Sequence, residues 1–410
     1  MFRFVRLWDR PVPTYRPGLK YGQGLSTPGV DGLSPEAAPG KILAPARADL
    51  AAQPPWRKRK ERVGETDGGL GPLRAARSTY SSLLHCFGAV LLLVLAGGCD
   101  GQNLPDTAPI PGGGRWRAFA RAPVPLHESA AAVIDGKLYY VGGRVPSGAI
   151  ASLYRYDPPP AGSWTQLASH PGTPVDHMGA AVVDGHLYAV GGLVEFPGPS
   201  VNAVYAYDPS ENSWSAKAPM PAAAGAMGIG VVEGKVYVIG GLSGGQATNI
   251  VCEYDPETNE WTDLTSVSPM PTARDHFVAA TVNGKIHCIG GRQVSIHSIT
   301  GVHEVFDPAT RTWETQAPLP TPRGGFAAAV LDGKILIMGG EGAANAVGVF
   351  SENEEYDPAT DTWRKLSPMT APRHSIAAGV IDGVVYVAAG SPRIGRSFTD
   401  VHEAFSFAFE

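Results

Sequence analysis

The sequence is poor in cysteine, in basic charge over most of its length and in long apolar runs, and each deficiency excludes a class of protein. Four cysteines among 410 residues give no framework of disulfide bonds. Residues 79–410 carry a formal net charge of −12, so they form a poor nucleic-acid binder, because phosphate backbones require clustered Lys and Arg. The apolar run at residues 83–95 is shorter than the roughly 20 residues of a transmembrane helix.

Familiar catalytic motifs are missing as well. The sequence has no His-Glu-x-x-His, paired Cys-x-x-Cys or phosphate-binding Gly loop. The segment Gly241-Leu242-Ser243-Gly244-Gly245 fits the Gly-x-Ser-x-Gly pattern of serine hydrolases, but that motif needs a strand-to-helix turn. Here the segment is predicted to lie between two strands, so the sequence assigns no catalytic residue.

What the sequence does contain is a glycine-rich repeat. A Gly pair follows an apolar strand six times, at intervals of 49, 49, 50, 49 and 50 residues, and the last pair is weakened to Ala-Gly. A period near fifty residues predicts a stack of similar supersecondary units rather than an ordinary globular core. The pairs are Gly142-Gly143, Gly191-Gly192, Gly240-Gly241, Gly290-Gly291, Gly339-Gly340 and Ala389-Gly390.

Three further marks recur in phase with the Gly pairs. Before each pair, two apolar strands are joined by a turn such as Asp135-Gly136 or Asn283-Gly284, the strongest short-range signal for a β-hairpin. After the pair, a third strand ends in an aromatic-Asp-Pro in five units, because Asp and Pro stop a strand. A Trp then begins a fourth strand. Four such strands make one antiparallel blade, and blades arranged in a ring make a propeller.

Two apolar strands, a Gly pair, an aromatic-Asp-Pro and a Trp together resemble the kelch repeat over residues 115–410. The ends of this region predict the number of blades. The last unit stops at Phe405-Ser406-Phe407 without a Trp strand, whereas an orphan Trp strand, Arg115-Trp116-Arg117, precedes the first unit. We therefore expect an all-β, six-bladed kelch-type β-propeller whose last blade is closed by the N-terminal strand, which removes an open sheet edge.

Residues 1–114 are organised differently. Residues 1–78, with a net charge of +7 and no sustained periodicity, are interpreted as disordered or as an over-extended gene start. Residues 79–99 have a basic flank, an apolar core and small residues before Cys99, and they resemble a bacterial lipoprotein signal peptide in which that Cys is acylated. Plain secretion and an uncleaved anchor are the alternatives. Residues 100–114 are interpreted as a flexible tether.

This signal predicts a protein of the cell envelope, lipid-anchored to a membrane and facing the periplasm or the surface. If Cys86 is removed with the signal and Cys99 is acylated, Cys252 and Cys288 remain. We expect two buried thiols rather than a disulfide, because blade strands at different radii rarely bring the Cα atoms close enough.

One end of the propeller axis is the expected ligand site. Loops that enter the first strand and loops that leave the Gly pair should meet there, and counting 14 to 16 residues back from each pair finds a sector rich in Arg and His. Arg presents a planar fork that suits carboxylates, so we expect a small anionic or polyhydroxylated ligand. In kelch-like repeats such Arg and His can instead brace loops and pair with neighbouring acids. The ligand-binding candidates are Arg144, His177, Arg274, His276, Arg292, Arg323, Glu341, Arg373 and His374.

The histidines of this sector come from separate units. Zinc ligation by His127, His177, His276 and His374 is an alternative, but no spacing between them argues for it. The sequence therefore predicts no metal and no cofactor.

The resemblance leaves two functions open, because propellers of this class serve many functions. The first is a binding module that holds a protein or glycan partner at the propeller mouth, reaches the membrane only through its lipid anchor and binds no nucleic acid. The alternative is a carbohydrate-active enzyme. Six-bladed secreted kelch-like proteins include sialic-acid mutarotases, and an Arg-rich mouth with Glu341 would suit a sugar acid in such a mutarotase or epimerase.

Overall fold

The computed structural model describes residues 109–343 and 348–409, which form six four-stranded antiparallel sheets. Each sheet is one blade of a propeller, as the repeat predicts. Within the described residues, no helix is long and apolar enough to span a membrane. The predicted segments 1–78 and 79–99, and most of the predicted tether 100–114, lie outside the described residues.

In blades 1 to 5, the spatial order of the four strands follows the chain, with the first strand innermost. Blade 1 contains Ala130–Ile134, Lys137–Val141, Leu153–Asp157 and Ser163–Leu167. Blade 2 contains Gly179–Val183, His186–Val190, Val204–Asp208 and Ser213–Lys217. Blade 3 contains Gly228–Val232, Lys235–Ile239, Val251–Asp255 and Glu260–Asp263. Blade 4 contains Val278–Val282, Lys285–Ile289, His303–Asp307 and Thr312–Thr315. Blade 5 contains Ala327–Leu331, Lys334–Met338, Asn353–Asp357 and Thr362–Leu366.

Blade 6 joins the two ends of the propeller. Its strands are Ala377–Ile381, Val384–Ala388, His402–Ser406 and, outermost, Arg115–Ala118. The prediction that the N-terminal strand closes the last blade is therefore confirmed. Just before that strand, the Ile110 amide donates to Ser367 Oγ at 2.9 Å, so the described end of the predicted tether packs against blade 5.

Within residues 109–343 and 348–409, three short two-stranded ribbons lie in the loops that follow Gly pairs. They are Arg144–Val145 with Gly148–Ala149, Leu242–Ser243 with Gln246–Ala247, and Arg292–Gln293 with Ser295–Ile299.

The two-residue turns between first and second strands have the predicted geometry. Both central residues have positive φ in all six turns, for example 49° at Asp135 and 67° at Gly136. This is the type I′ arrangement that matches the twist of a hairpin.

The Gly pairs join neighbouring blades. The amide of the second Gly donates to a carbonyl of the next blade, as in Gly143 to Val175 at 3.0 Å, and Gly390 to Leu126 at 2.7 Å closes the circle. Gly143 has φ of 90°, and a Cβ there would lie 2.2 Å from Ser129 Oγ. Glycine is required at this position because both the backbone angle and the close approach exclude a side chain.

The repeated Trp residues make a second set of links between blades. In each blade the indole N–H donates to a carbonyl just beyond the fourth strand of the preceding blade, as in Trp214 to Ala168 at 2.7 Å. Trp164 to Ala120 links blade 1 back to blade 6 at 3.0 Å. Each partly buried Trp thus stabilises the propeller both by its apolar area and by satisfying a loop carbonyl.

The hydrophobic core lies between blades rather than in one central volume. Ile239 of blade 3 packs with Phe277 and Ile286 of blade 4 in one such layer. Strands buried on both faces need apolar residues on both faces, which explains why the sequence lacks a clean polar/apolar alternation. Cys252 and Cys288 are free and buried, as predicted.

Candidate functional site

Six residues, one from each blade, surround the propeller axis two positions before each first strand. Their backbones form a closed circle of hydrogen bonds, with N···O distances from 2.6 to 3.2 Å. All six have positive φ, between 52° and 63°. We name this circle the axial ring; its members are Glu128, His177, Ala226, His276, Gly325 and Ser375.

The residue before each ring member pairs with the residue after a Gly pair. His127 bridges Arg144, Asp275 bridges Arg292, and equivalent bridges occur in the other four blades. These bridges hold the two predicted sets of loops together at one end of the axis, where the sequence placed the site.

A cavity of about 320 Å³ opens at this end of the axis. Four polar members of the axial ring form its floor, and Arg144, Arg292, Glu341 and His374 stand on its wall. Phe196, Val294, Ile296 and Ile394 form an apolar rim. Beyond the floor, an axial channel is lined largely by Ala and Gly of the first strands. The volume lies at the lower end of the range for small-molecule sites.

His177 is held between two carboxylates. Its Nδ1 lies 2.7 Å from Asp176 Oδ1, and its Nε2 lies 3.4 Å from Glu128 Oε1. Burial opposes protonation of His177, but the Glu128 and Asp176 carboxylates outweigh burial, and the pKa of His177 is raised. Arg144 Nε donates to the other oxygen of Asp176 at 2.5 Å.

His276, two blades further along the chain, is also held by the Asp that precedes it, but its pKa shifts in the opposite direction. Its Nδ1 lies 2.5 Å from Asp275 Oδ1, and its Nε2 accepts from Arg292 Nη2 at 2.9 Å. Burial and the charge of Arg292 lower the pKa of His276. The two imidazoles meet at 3.1 Å between their Nε2 atoms.

Glu128 completes the floor. It accepts a hydrogen bond from Ser375 Oγ at 2.5 Å. Burial favours its neutral form, but the neighbouring histidines and the Ser375 hydroxyl overcome this, and the pKa of Glu128 is well below its usual range. The floor therefore presents a carboxylate and two imidazoles to one point on the axis.

His127 is the incomplete member of the site. It is 5% exposed and lines the cavity, and its Nε2 has no hydrogen-bond partner among the residues that the structure describes. Burial lowers the pKa of His127 to about 4, so its imidazole is neutral at neutral pH. An unsatisfied buried nitrogen facing a cavity is a position for a ligand or water.

The structure brings six of the nine predicted site residues together. The cavity lining includes Arg144, His177, His276, Arg292, Glu341 and His374. Glu341 pairs with Arg292, and its Oε2 lies 3.4 Å from His374 Nδ1.

The other three, Arg274, Arg323 and Arg373, differ from the sequence expectation. They are fully buried inside blades 4, 5 and 6 and do not line the cavity. Each guanidinium bonds carbonyls of its own blade and pairs with a buried Glu of the third strand, as in Arg323 with Glu354. These guanidinium groups therefore brace the blades, as Arg residues of kelch-like repeats can, and they are bonded inside the blades rather than at the cavity.

Sequence reasoning missed the apolar rim. Phe196 stacks on His177 with ring centroids 5.5 Å apart and lies 5.3 Å from the Arg292 guanidinium. Its loop has no fixed phase relative to the Gly pairs, so the repeat carried no signal for it. Glu128 and Ser375 were in phase with His177 and could have been selected by position alone.

The family follows from a comparison with known protein families. The KLHDC2/KLHL20/DRC7 Kelch-repeats domain matches residues 176–390, slightly more than half of the chain, and the Kelch motif matches residues 125–171. This chain belongs to the kelch-repeat family. The cavity is therefore the axial mouth of a kelch propeller.

Curated kelch proteins match short parts of the chain. Kelch-like protein terF of Aspergillus terreus is 41% identical over 69 residues, which are 16% of this chain and 14% of that protein. F-box protein AFR of Arabidopsis thaliana is 36% identical over 72 residues, which are 18% of each protein. The chain thus spans less than a fifth of the length of these relatives, and the similarity is one of repeats.

A solved structure extends the comparison to the whole propeller. The structure titled "Structure of YjhT" aligns with a TM-score of 0.58 over 69% of this chain and 96% of that chain. The two sequences are 20% identical, so this likeness supports the kelch fold alone.

Proposed function

We propose that this kelch propeller is a binding module whose axial cavity receives a polar group from a protein partner. The observation that carries the proposal is the combination of a buried polar floor with a partly exposed apolar rim, in which Ile394 is exposed and Phe196, Val294 and Ile296 are half-buried. Val194 and Ile394, in loops at the mouth, are each 39% exposed. Exposed apolar residues around a concave polar site are typical of interaction surfaces.

The charges of the site disfavour an anionic ligand. Arg144 is already paired with Asp176, and Arg292 with Glu341. A free carboxylate would meet guanidinium groups whose charge is neutralised, whereas a hydroxyl or amide could bond the imidazoles and Ser375. The sequence predicted an anionic or polyhydroxylated ligand. The paired charges favour instead an uncharged polar group, surrounded on the partner by apolar residues that contact the rim.

The test is a parallel selection on the full chain with a random-peptide library and a glycan array. Phe196→Ala removes one side of the rim, and Phe407→Ala, at a Phe that is 41% exposed and does not line the cavity, is the matched control. We expect enriched peptides to bind the Phe196 variant at least about tenfold more weakly and the Phe407 variant unchanged, as for an aromatic anchor. Peptides that bind both variants equally weakly would contradict the proposal. Glycans that bind the wild type but not the Phe196 variant would show that the partner is a glycan rather than a protein.

A carbohydrate-active enzyme is the second candidate, favoured by Glu128 and the two histidines on the cavity floor. A carboxylate beside two imidazoles is suited to moving a proton between sugar oxygens. Sialic-acid mutarotation followed by NMR tests this directly. Acceleration that disappears in Glu128→Gln supports the enzyme, and equal rates with and without the protein contradict it.

We also propose export and acylation at Cys99, which lies outside the described residues. Support comes from the basic flank, the apolar run and the small residues before this Cys. The mass of the mature N-terminus is the measurement. A diacylated or triacylated chain starting at Cys99 is expected, and an unmodified chain that retains the preceding residues would contradict acylation.

A further inference from the structure

We infer that the axial ring is a binding site for one divalent transition-metal ion, held by His177 Nε2, His276 Nε2 and Glu128 Oε1. These three atoms come from three different blades and lie within 4.8 Å of one another. The inference concerns the cavity floor and does not rest on the binding-module proposal.

The distances match a metal's inner shell. Ligand atoms about 2.1 Å from a metal lie roughly 3.0 to 3.4 Å from one another in octahedral or tetrahedral geometry. The two Nε2 atoms are 3.1 Å apart, and His177 Nε2 is 3.4 Å from Glu128 Oε1. The third separation, His276 Nε2 to Glu128 Oε1, is 3.9 Å and can shorten by rotation of the Glu side chain.

Both histidines are oriented as metal ligands usually are. A ligating His normally donates its other ring nitrogen to a carboxylate, which fixes the ring and increases its basicity. Asp176 holds His177 Nδ1 and Asp275 holds His276 Nδ1, at 2.7 and 2.5 Å. The same Asp-His dipeptide thus serves both ligands from two separate blades.

The charge of the site also suits a divalent cation. Four buried or nearly buried carboxylates, Glu128, Asp176, Asp275 and Glu341, surround the floor. Two guanidinium groups, Arg144 and Arg292, offset half of that charge. Before the imidazoles are counted, the difference is two negative charges, which a divalent cation would offset.

Arg292 would compete with the metal ion for His276 Nε2. Its Nη2 lies 2.9 Å from His276 Nε2, so a metal would take the lone pair that this guanidinium now contacts. Arg292 retains Glu341 and Asp275 as partners after such a shift. The ion would keep coordination positions on the cavity side, where the unpartnered His127 nitrogen also lies.

Two imidazoles and one carboxylate suit Zn²⁺, Fe²⁺, Co²⁺ or Ni²⁺ rather than Ca²⁺ or Mg²⁺. The test uses Co²⁺, because its visible absorption reports nitrogen coordination. The full chain is freed of metal with a chelator, dialysed and titrated with Co²⁺, and Zn²⁺ is then added as a competitor. We expect one Co²⁺ per chain, displaced by Zn²⁺.

Variants separate this site from adventitious binding. His276→Asn fits the positive φ of that position, and Glu128→Gln keeps the side-chain shape, so both should fold, which circular dichroism checks. Each should weaken Co²⁺ binding more than about tenfold, and Asp275→Asn by about 10- to 100-fold. His186→Asn, at a half-exposed histidine outside the cavity, should leave binding unchanged. No absorption at millimolar Co²⁺, or binding undiminished in the folded ligand variants, would overturn the inference.

Discussion

Replacing Arg323 by Leu should destabilise the propeller far more than an ordinary surface substitution. Arg323 is 0% exposed, and its guanidinium bonds Gly339 O at 2.6 Å and Ile337 O at 3.1 Å while pairing with Glu354 at 2.5 Å. Glu354 is 1% exposed and, within the described part of the chain, would keep the Thr321 hydroxyl, at 2.8 Å, as its one side-chain partner. Removing one partner of a buried pair leaves an uncompensated charge and costs about 3 to 5 kcal/mol.

The chain itself supplies the matched control. At the two equivalent positions, blade 1 has Leu126 and Tyr154, which are 2% and 6% exposed. The double variant Arg323→Leu with Glu354→Tyr copies this apolar pair into blade 5. We expect it to recover most of the loss, to within about 1 kcal/mol of the wild type, because well-packed apolar residues replace a buried ion pair at little cost.

Urea unfolding measures both variants, and the midpoint should fall strongly for the single variant at an unchanged m-value. A single variant within about 1 kcal/mol of wild type would show that the pair is not a brace. A double variant as unstable as the single one would show that the cost comes from the lost carbonyl contacts rather than from the unpaired carboxylate.

Three further predictions concern other parts of the scaffold. Gly143→Ala should cost at least about 2 kcal/mol in urea unfolding, since its Cβ would meet Ser129 Oγ at 2.2 Å at a φ of 90°, and a wild-type midpoint would contradict this. Trp214→Phe should cost about 1 kcal/mol, because it leaves the Ala168 carbonyl without its indole donor; no change in stability would show that water replaces the donor. Burial lowers the pKa of His402 from 6.5 to about 4, so the unfolded state binds more protons between these values and stability falls as pH falls. This residue should contribute a loss of about 3 kcal/mol between pH 7 and pH 4, and His402→Gln should flatten the slope of unfolding free energy against pH; an unchanged slope would contradict the assignment.

The fold could be predicted because its determinants are local and repeated. Asp135-Gly136 specifies its turn by backbone angle alone, and Gly143 permits a close contact that any side chain would block. The same chemistry recurs in every unit, so six weak signals reinforce one another. The missing Trp strand at the end and the orphan strand at Trp116 then determine the closure.

The site could be located but not fully assigned, because adjacent residues in an extended segment face different ways. Arg323, Gly324 and Gly325 are consecutive, yet the first lies inside the blade, the second bridges Glu341, and the third belongs to the axial ring. Counting from the Gly pair finds all three equally well. The sequence did carry a signal for Arg323: blades 4, 5 and 6 combine this Arg with a Glu at the second position of the third strand, and blades 1 to 3 have neither residue at those two positions.

In the axial ring, the backbone conformation serves the fold, whereas the side chains are free to serve a ligand. Its hydrogen bonds use only backbone atoms, so any residue that accepts positive φ would close the circle, and Gly accepts it best. Blade 5 uses Gly325, but the ring also contains Glu128, His177 and His276 at φ values of 52° to 55°, where a side chain costs about 1 to 2 kcal/mol. Ala226 shows, at φ of 53°, that the scaffold also holds a residue without a polar side chain in this conformation, but three of the strained members carry ionisable side chains that meet at one point, and strained residues cluster at functional sites. The departure from six-fold repetition at these positions is therefore the feature of the molecule that points most directly to its function.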